Sequence, residues 1–271
     1  MPELPEVQTV VNYLHDDLIG DTIISIKPLW GKVLENFDQL SINNSKNNYK
    51  IIEVWRRAKF IIIETENNII AIHLRMTGKL YLNKENKIHR HCRAIIFLKS
   101  GKELIFEDTR KFGRIYLYKN MEFINSRHGV EPLGDNFTKE FLIKGLKARK
   151  RNIKYLLLDQ KFIAGLGNIY TDECLWISNI HPNSISYKIP NKNIHKLFNS
   201  IKAVLLESLD SMGTTIINYS FVNGKSGEYA NKLRVFGRTN KPCKNCNHRI
   251  EKTRIAGRGT HFCQKCQKLY C

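Results

Sequence analysis

The first residues of the chain include a group that could do covalent chemistry. Removal of Met1, which is normal before proline, would leave Pro2 with a free secondary amine. An α-amine has a pKa near ~8, so part of it is neutral at physiological pH, and its attack on an aldehyde-like carbon gives an electron-withdrawing iminium. Glu3 and Glu6 are close enough in sequence to move protons around this amine. Taken alone, these residues favour a simpler interpretation, a disordered terminus in which Pro2 and Pro5 only place a helix start.

Four cysteines near the other end of the chain have the spacing of a metal site. Two Cys-x2-Cys pairs are separated by sixteen residues, which is enough chain for one β-hairpin. Four thiolates in this arrangement bind one structural Zn²⁺ in a tetrahedron, and the spacing disfavours the alternative of four unrelated reduced cysteines. The predicted ligands are Cys243, Cys246, Cys263 and Cys266. Cys92 and Cys174 are predicted packing residues, and Cys271 lies outside the spacing.

Several shorter segments could contact a polyanion, although each has a structural alternative. Cations at residues 56–59 and at Arg258 could be solvated turn residues. His73 and Met76 could be ordinary core residues. The glycines before Asn168 are typical of a phosphate-binding helix start but also of many turns. A basic run at residues 147–154 could be a solvated helix face.

In combination, these segments resemble the formamidopyrimidine-DNA glycosylase family, bacterial enzymes that excise oxidised purines. The resemblance spans essentially all 271 residues in family order. It is carried by residues 2–7 (PELPEV), 56–59 (RRAK), 73–78 (HLRMTG), 108–113 (DTRKFG), 164–170 (AGLGNIY) and the four-cysteine element. The family has that element as a zinc finger. Here Asn247 stands where glycine often follows the second cysteine, and asparagine also tolerates a positive φ.

The resemblance implies a catalytic role for four residues. Pro2 would be the nucleophile, and Glu3 would be the acid/base. Lys59 would assist proton transfer in β-elimination, and Arg258 would contact the phosphate beside the lesion and act in δ-elimination.

The resemblance also implies how the chain would contact DNA. Met76, Arg110 and Phe112 would fill the gap left by a flipped-out nucleotide, since Met and Phe can wedge between bases and Arg can hydrogen-bond an orphaned cytosine. The other implied DNA contacts are His73, His89, Lys150 and Asn168.

Composition agrees with a nucleic-acid partner. The chain has 44 Lys and Arg against 25 Asp and Glu, which gives a net charge of +19. Such an excess favours a polyanion, because each neutralised phosphate releases counterions. No apolar run approaches the ~20 residues of a membrane helix, and no signal-peptide core is present. We therefore expect a cytoplasmic chain without a membrane partner.

The periodicity of the sequence predicts the elements that must position these residues. Apolar residues at helical spacing predict a helix over 5–20. Eight β-branched and aromatic runs predict strands over 22–29, 50–55, 60–65, 69–74, 79–82, 94–98, 103–106 and 114–118. Later spacings of three and four predict helices over 137–146, 153–159, 168–176 and 193–212. Residues 213–240, with four glycines and no period, predict a long mobile loop.

The sequence therefore predicts an α+β protein of three parts. An N-terminal antiparallel β-sandwich with a leading helix (1–130) would precede a helix-two-turn-helix domain (131–240) and a zinc-binding β-hairpin (241–271). Damaged double-stranded DNA would bind a monomer in a basic cleft between the domains.

Two alternatives are an endonuclease VIII-type glycosylase for oxidised pyrimidines and a non-enzymatic zinc-ribbon DNA-binding protein. Leu4 and residues 110–112 favour the purine enzyme over the first. The second would have no need of a free amine at Pro2.

Overall fold

A computed structural model describes residues 1–37, 49–83, 90–214 and 227–271. The chain forms two compact units. The first comprises Met1–Ser126 with Met212–Gly227, and the second comprises Arg127–Ser211 with Glu228–Cys271. Among the described helices, none combines the length and the apolar character needed to cross a membrane.

The first unit begins with helix α1, Leu4–Leu18. The residues that carry the helical period are buried in the core of the unit, and they are Val7, Val10, Val11, Leu14 and Leu18. Pro5 lies in the first turn, where its missing N–H costs no hydrogen bond. Gly20, just beyond the helix, has a φ of 80°. The predicted helix is confirmed.

Nine strands follow in the described part of this unit, and eight are those predicted. Their bounds are β1 Thr22–Pro28, β2 Leu34–Glu35, β3 Tyr49–Arg57, β4 Phe60–Thr65, β5 Ile69–His73, β6 Gly78–Leu82, β7 Cys92–Leu98, β8 Glu103–Asp108 and β9 Arg114–Tyr118. The unpredicted strand β2 has two residues, which is too short to show a period, and pairs in parallel with β9. A short helix, α2 (Glu122–Asn125), comes after β9.

The strands form the predicted sandwich. Their hydrogen-bonded order is β2-β9-β5-β4-β3-β1-β7-β8-β6. Strands β1 and β3 pair over only two positions, Thr22↔Lys50 and Ile23↔Tyr49, which join the two halves of the sheet. Ile72 from one half and Phe106 from the other lie in the same hydrophobic core. The two halves therefore pack face to face, as the layers of a sandwich do.

The second unit is helical and ends in a hairpin. Its elements are α3 Lys139–Lys147, α4 Ile153–Leu158, α5 Asn168–Ile177, α6 Asn191–Asp210, α7 Tyr229–Lys232, β10 Glu251–Ile255 and β11 Arg258–Phe262. Thr138 caps α3 by accepting the N–H of Phe141. The tight turn between α4 and α5 is held by the side chain of Gln160. Its Nε2 donates to the carbonyl of Leu166, and its Oε1 accepts the N–H of Gly165. All four predicted helices are confirmed.

The prediction of a mobile loop over 213–240 is wrong for its last part. Tyr229–Lys232 is helix α7. The buried carboxylate of Glu173 then accepts three consecutive backbone N–H groups, those of residues 234–236. The local sequence shows no period here because a distant side chain supplies the hydrogen bonds. Residues 215–226 of the predicted loop lie outside the described chain.

A buried ion pair joins the hairpin to the helices of the second unit. Lys154 on α4 donates from Nζ to Asp172 Oδ1 at 2.6 Å and to Thr260 Oγ1 at 2.8 Å. Asp172 Oδ2 accepts the backbone N–H of His261 at 2.9 Å. Both charged side chains are fully buried, so each depends on the other for compensation of its charge.

Lys154→Met is therefore expected to cost about 3–5 kcal/mol of unfolding free energy, because it leaves the Asp172 carboxylate buried without its cation. Urea unfolding of the full chain measures this. The double variant Lys154→Met with Asp172→Leu should recover much of the loss. Lys144→Met, at an exposed position on α3, is the matched control and should change little. A loss in Lys154→Met no larger than in this control would contradict the expectation.

Candidate active site and metal centre

The amino terminus is held in place by a hydrogen-bonded pair of glutamates. Pro2 is buried. Glu3 is the N-cap of α1, and its side chain accepts the backbone N–H of Glu6. Glu6 Oε2 accepts the N–H of Glu3 at 2.9 Å, and Glu6 Oε1 accepts the N–H and hydroxyl of Thr214 at 2.8 and 3.0 Å. The interpretation as a disordered terminus is therefore wrong, because Pro2 is buried and the next residue, Glu3, is held in the capping interaction of α1.

Lys59 lies in the turn between β3 and β4, next to Ala58, whose φ is 53°. Its side chain is only 5% exposed, so it is not a solvated turn cation. Arg56, near the end of β3, donates to Gln8 Oε1 on α1 at 3.0 Å and to the carbonyl of Ala58 in this turn at 3.0 Å. These bonds attach the turn that carries Lys59 to the helix that follows Pro2.

Strand register places His73 at the same end of the sandwich as Lys59. Phe60, the first residue of β4, pairs with His73, the last residue of β5, and His73 pairs with Arg114 at the start of β9. The His73 ring packs edge-on against Phe60 at 4.7 Å. Its Nδ1 accepts the N–H of Arg75 at 3.0 Å, so the neutral ring carries its proton on Nε2.

Met76, Arg110 and Phe112 come together at this end of the sandwich. Arg110 Nη1 lies 3.1 Å from Met76 Sδ. The guanidinium carbon of Arg110 lies 4.7 Å from the centre of the Phe112 ring. Met76 and Phe112 are 44% and 46% exposed, which is unusual for large apolar side chains in a cluster. Two separate turns thus present one exposed group that could wedge between bases.

Most of the basic run 147–154 in the second unit has internal partners. Lys147 donates to the carbonyl of Ile189 at 2.7 Å, and Arg149 donates to the carbonyl of Gly145 at 2.7 Å. Lys154 belongs to the buried ion pair. Lys150 is exposed and makes no such bond to any described residue, and its contact with a phosphate stays a prediction.

Asn168 and the hairpin turn are connected directly. Asn168 opens α5, and its Nδ2 donates to the carbonyl of Gly259 on β11 at 2.8 Å. The turn before β11 contains Ala256 and Gly257 with φ of 52° and 70°. Arg258, the first residue of β11, is exposed. The hydrogen bond from Asn168 to Gly259 therefore fixes the position of Arg258 relative to the start of α5 within the second unit.

His89 lies outside the described residues and stays a prediction. Besides Glu6 at the terminus, two buried residues that the sequence did not single out support the sites, Asp108 at the end of β8 and Lys154 under the hairpin. Glu6 and Asp108 both lie in the quoted family segments. Lys154 could have been found from the sequence, because it is the one charged residue in the apolar segment that forms α4.

The four cysteines form the predicted zinc site. Their ligand atoms lie within 4.8 Å of one another. The Sγ atoms of Cys243 and Cys266 are 3.8 Å apart, and those of Cys246 and Cys263 are 3.4 Å apart. A Zn²⁺ tetrahedron with Zn–S bonds of about 2.3 Å has edges of ~3.8 Å, so the donors fit this metal. Asn247 has a φ of 58°, as its position required.

The local hydrogen bonds favour thiolate at one ligand. Burial alone raises the pKa of Cys243, but N–H groups of Asn245 and Cys246 stabilise the thiolate, and the pKa is lowered to about 7. The other three cysteines are not ligands: Cys92 and Cys174 are buried packing residues, and Cys271 is exposed. Four thiolates fill the coordination sphere of Zn²⁺, so its role is structural.

Loss of one ligand is expected to remove the metal and weaken DNA binding. Cys263→Ser replaces a fully buried thiolate by a poorer ligand, so bound zinc should fall well below one ion per chain. Metal analysis and DNA titration measure the two effects. Cys271→Ser, the control, should leave both unchanged. Full DNA affinity in a metal-free Cys263→Ser chain would contradict the expectation.

Comparison with known proteins covers nearly the full length of the chain. The model of the formamidopyrimidine-DNA glycosylase N-terminal domain matches residues 1–115, that of the family's H2TH domain matches 128–220, and that of a zinc finger found in FPG and IleRS matches 240–269. A formamidopyrimidine-DNA glycosylase of Herpetosiphon aurantiacus is 40% identical, with 98% of this chain and 100% of the relative covered.

Two solved structures of DNA complexes are similar over nearly the full chain. One is a mutant of the Lactococcus lactis FPG bound to DNA containing Fapy-dG, with a TM-score of 0.90, 34% identity, and coverage of 98% of this chain and 100% of that chain. The other is MutM with DNA containing carbocyclic 8-oxo-G, with a TM-score of 0.89, 34% identity and the same coverage. By its sequence, its fold and its zinc site, the chain belongs to the formamidopyrimidine-DNA glycosylase family.

Proposed function

We propose that this chain removes oxidised purines from duplex DNA and then cleaves the abasic strand through a covalent intermediate on Pro2. The observation that carries the proposal is the ordered terminus, in which Pro2 is buried directly before the capped carboxylate of Glu3. The activity agrees with the family to which the chain belongs and with the DNA lesions bound by its structural relatives.

The proposed reaction begins when the damaged nucleotide leaves the helix, and Met76, Arg110 and Phe112 occupy the gap. The nitrogen of Pro2 attacks C1′ of the sugar, the bond from C1′ to the base breaks, and the base leaves with a proton. Glu3 supplies a proton to the sugar ring oxygen, so that the ring opens and an iminium forms. The iminium acidifies C2′, and loss of that proton expels the 3′ phosphate in β-elimination, assisted by Lys59. Loss of the proton on C4′ then expels the 5′ phosphate in the second elimination, assisted by Arg258. Water hydrolyses the remaining iminium and releases the amine of Pro2.

The experiment that tests the proposal compares duplexes containing 8-oxoguanine with duplexes containing thymine glycol, in the presence and absence of borohydride. We expect excision and a trapped adduct with 8-oxoguanine. Efficient excision of thymine glycol alone would favour an endonuclease VIII-type enzyme. Binding without excision or trapping would favour a DNA-binding protein without catalytic function.

The proposal extends to partners and place of action. We infer that a monomer acts on DNA, because the proposed catalytic and DNA-binding residues all belong to one chain. We further propose that it acts in the cytoplasm of a bacterial cell, at the nucleoid where its DNA substrate lies, without a membrane partner.

DNA affinity is expected to fall steeply with salt. If about six phosphates are neutralised, the slope of log affinity against log salt should be about −5. Lys150→Gln and Arg258→Gln should each make the slope shallower by about one unit. Asn168→Ala removes no charge and should weaken binding at constant slope. Fluorescence titration at several salt concentrations measures all three.

Lys192→Gln is the control, since Lys192 is an exposed lysine on α6. It should leave the slope unchanged. A slope change in this variant as large as in Lys150→Gln would show that overall charge alone determines the salt dependence.

A further inference from the structure

Asp108 is a fully buried carboxylate at the end of β8 that none of the proposed chemical steps uses. Its Oδ2 accepts the backbone N–H groups of Phe112 and Gly113, each at 2.7 Å. Its Oδ1 accepts the N–H of Arg110 at 3.1 Å and the hydroxyl of Thr77. Four donors thus converge on one side chain.

The four donors belong to two different turns. Three lie in the turn from β8 to β9, which carries Arg110 and Phe112. The fourth, Thr77, lies in the turn from β5 to β6, directly after Met76. The hydroxyl oxygen of Thr77 also accepts the N–H of Arg110 at 3.1 Å. Asp108 therefore connects the two turns that present the exposed cluster.

Both turns hold backbone conformations that need such support. Arg75 in one turn and Lys111 in the other have φ of 54° and 60°, in the left-handed region that side chains disfavour. Each turn also ends at a glycine in a tight site. A Cβ at Gly78 would lie 2.4 Å from the carbonyl oxygen of Leu74, and one at Gly113 would lie 2.5 Å from the Phe106 ring. Conformations of this kind persist only where the surroundings over-determine them.

We propose that Asp108 is a positioning residue that couples the two turns, so that Met76, Arg110 and Phe112 enter the duplex as one pre-organised unit. The proposal rests on the proposed function. Pre-organisation lowers the cost of insertion. Side chains that are already ordered before binding lose less conformational entropy when the base pair is broken and they enter the duplex. Because the carboxylate is fully buried, its proposed role is to position these turns and not to act on the substrate.

The variant that tests the proposal is Asp108→Asn. The amide has the same shape, but its NH₂ group cannot accept the hydrogen bonds that one carboxylate oxygen accepts now. Single-turnover rates are measured on two substrates, 8-oxoguanine paired with cytosine and a preformed abasic site, which has no lesion base pair to break. We expect the first rate to fall between about 10- and 100-fold, the loss that a misplacement of about 1 Å can cause. The second should stay within about threefold, since pre-organisation helps chiefly where a pair must be opened.

A base analogue gives a second readout. With 2-aminopurine beside the lesion, insertion of the cluster unstacks the analogue and raises its fluorescence. In Asp108→Asn this rise should be slower or smaller, whereas zinc content should equal that of the wild type. A general structural role would not separate these measurements.

Two further variants complete the design. Thr77→Val removes the link between the turns but leaves Asp108 bonded to its own turn, so it should show a smaller loss on the paired lesion alone. Asp21→Asn is the matched control. Like Asp108, Asp21 is a carboxylate that accepts backbone N–H groups, those of Thr22 and Ser100 at 2.7 and 3.2 Å. Ser100 lies shortly before the first residue of β8, whereas Asp108 is the last residue of that strand. Both rates should be unchanged in this control.

Equal losses on the two substrates, or no loss on the paired lesion, would overturn the proposal. If Asp108→Asn fails to fold, the Thr77→Val variant tests the proposal instead. A rate on the paired lesion equal to that of the wild type would then overturn the proposal. Wild-type chain that excises no 8-oxoguanine would instead refute the proposed function, so the two failures are distinguishable.

Discussion

A chain that keeps Met1 is expected to cleave no abasic DNA and to form no borohydride-stable adduct. In such a chain the nitrogen of Pro2 is a tertiary amide without a nucleophilic lone pair. Every side chain of the site is unchanged, so the comparison isolates the amine. We expect a loss of about 10³-fold or more, equivalent to ~4 kcal/mol of barrier. Single-turnover cleavage of an abasic duplex measures the loss. Mass spectrometry of the reduced complex should locate the wild-type adduct at residue 2.

The structure makes this comparison clean. Met1 is 46% exposed, whereas Pro2 is buried beside the Glu3–Glu6 pair, so the extra residue extends outward without displacing the cap. Affinity for a non-cleavable abasic analogue is the control and should change little. Pro2→Gly keeps an α-amine and should still be trapped, at a lower rate. An adduct found on a lysine would refute Pro2 as the nucleophile.

Glu3→Gln is expected to retain lesion binding and to lose excision of 8-oxoguanine by about 10²- to 10⁴-fold, the usual contribution of a general acid or base. Glutamine keeps an oxygen that can accept the N–H of Glu6, so the capping interaction at the start of α1 survives. Alanine would also remove the cap, at about 1 kcal/mol, and would mix a structural loss with the chemical one.

Single-turnover excision and DNA titration separate the two effects of Glu3→Gln. Glu66→Gln, an exposed glutamate of the same unit, is the control and should behave as wild type. Excision by Glu3→Gln within a few-fold of wild type would show that Glu3 does not transfer the proton.

Local patterns in the sequence determined most of the secondary structure and the metal site. Runs of β-branched and aromatic residues marked strands such as β4, and spacings of three and four marked α6, because each pattern reflects apolar surface that must be buried. The zinc ligands were also readable, since each pair is separated by two residues and the hairpin between the pairs is short. The family motifs supplied the candidate chemistry in the same way, as short runs of residues.

Contacts between distant residues decided what those patterns did not show. Thr77 and Asp108 are 31 positions apart, and Lys154 and Thr260 are 106 apart, so no local window contains either hydrogen bond. Likewise, the segment after Gly227 is ordered because Glu173 accepts its N–H groups across 61 to 63 positions. By itself, the sequence determined the chain's family, its main elements and its zinc ligands. Only the tertiary structure determined that Lys59 is buried, that Lys154 belongs to an ion pair, and that the Asp108 carboxylate accepts hydrogen bonds from two separate turns. Burial and long-range pairing arise only when the strands and helices pack.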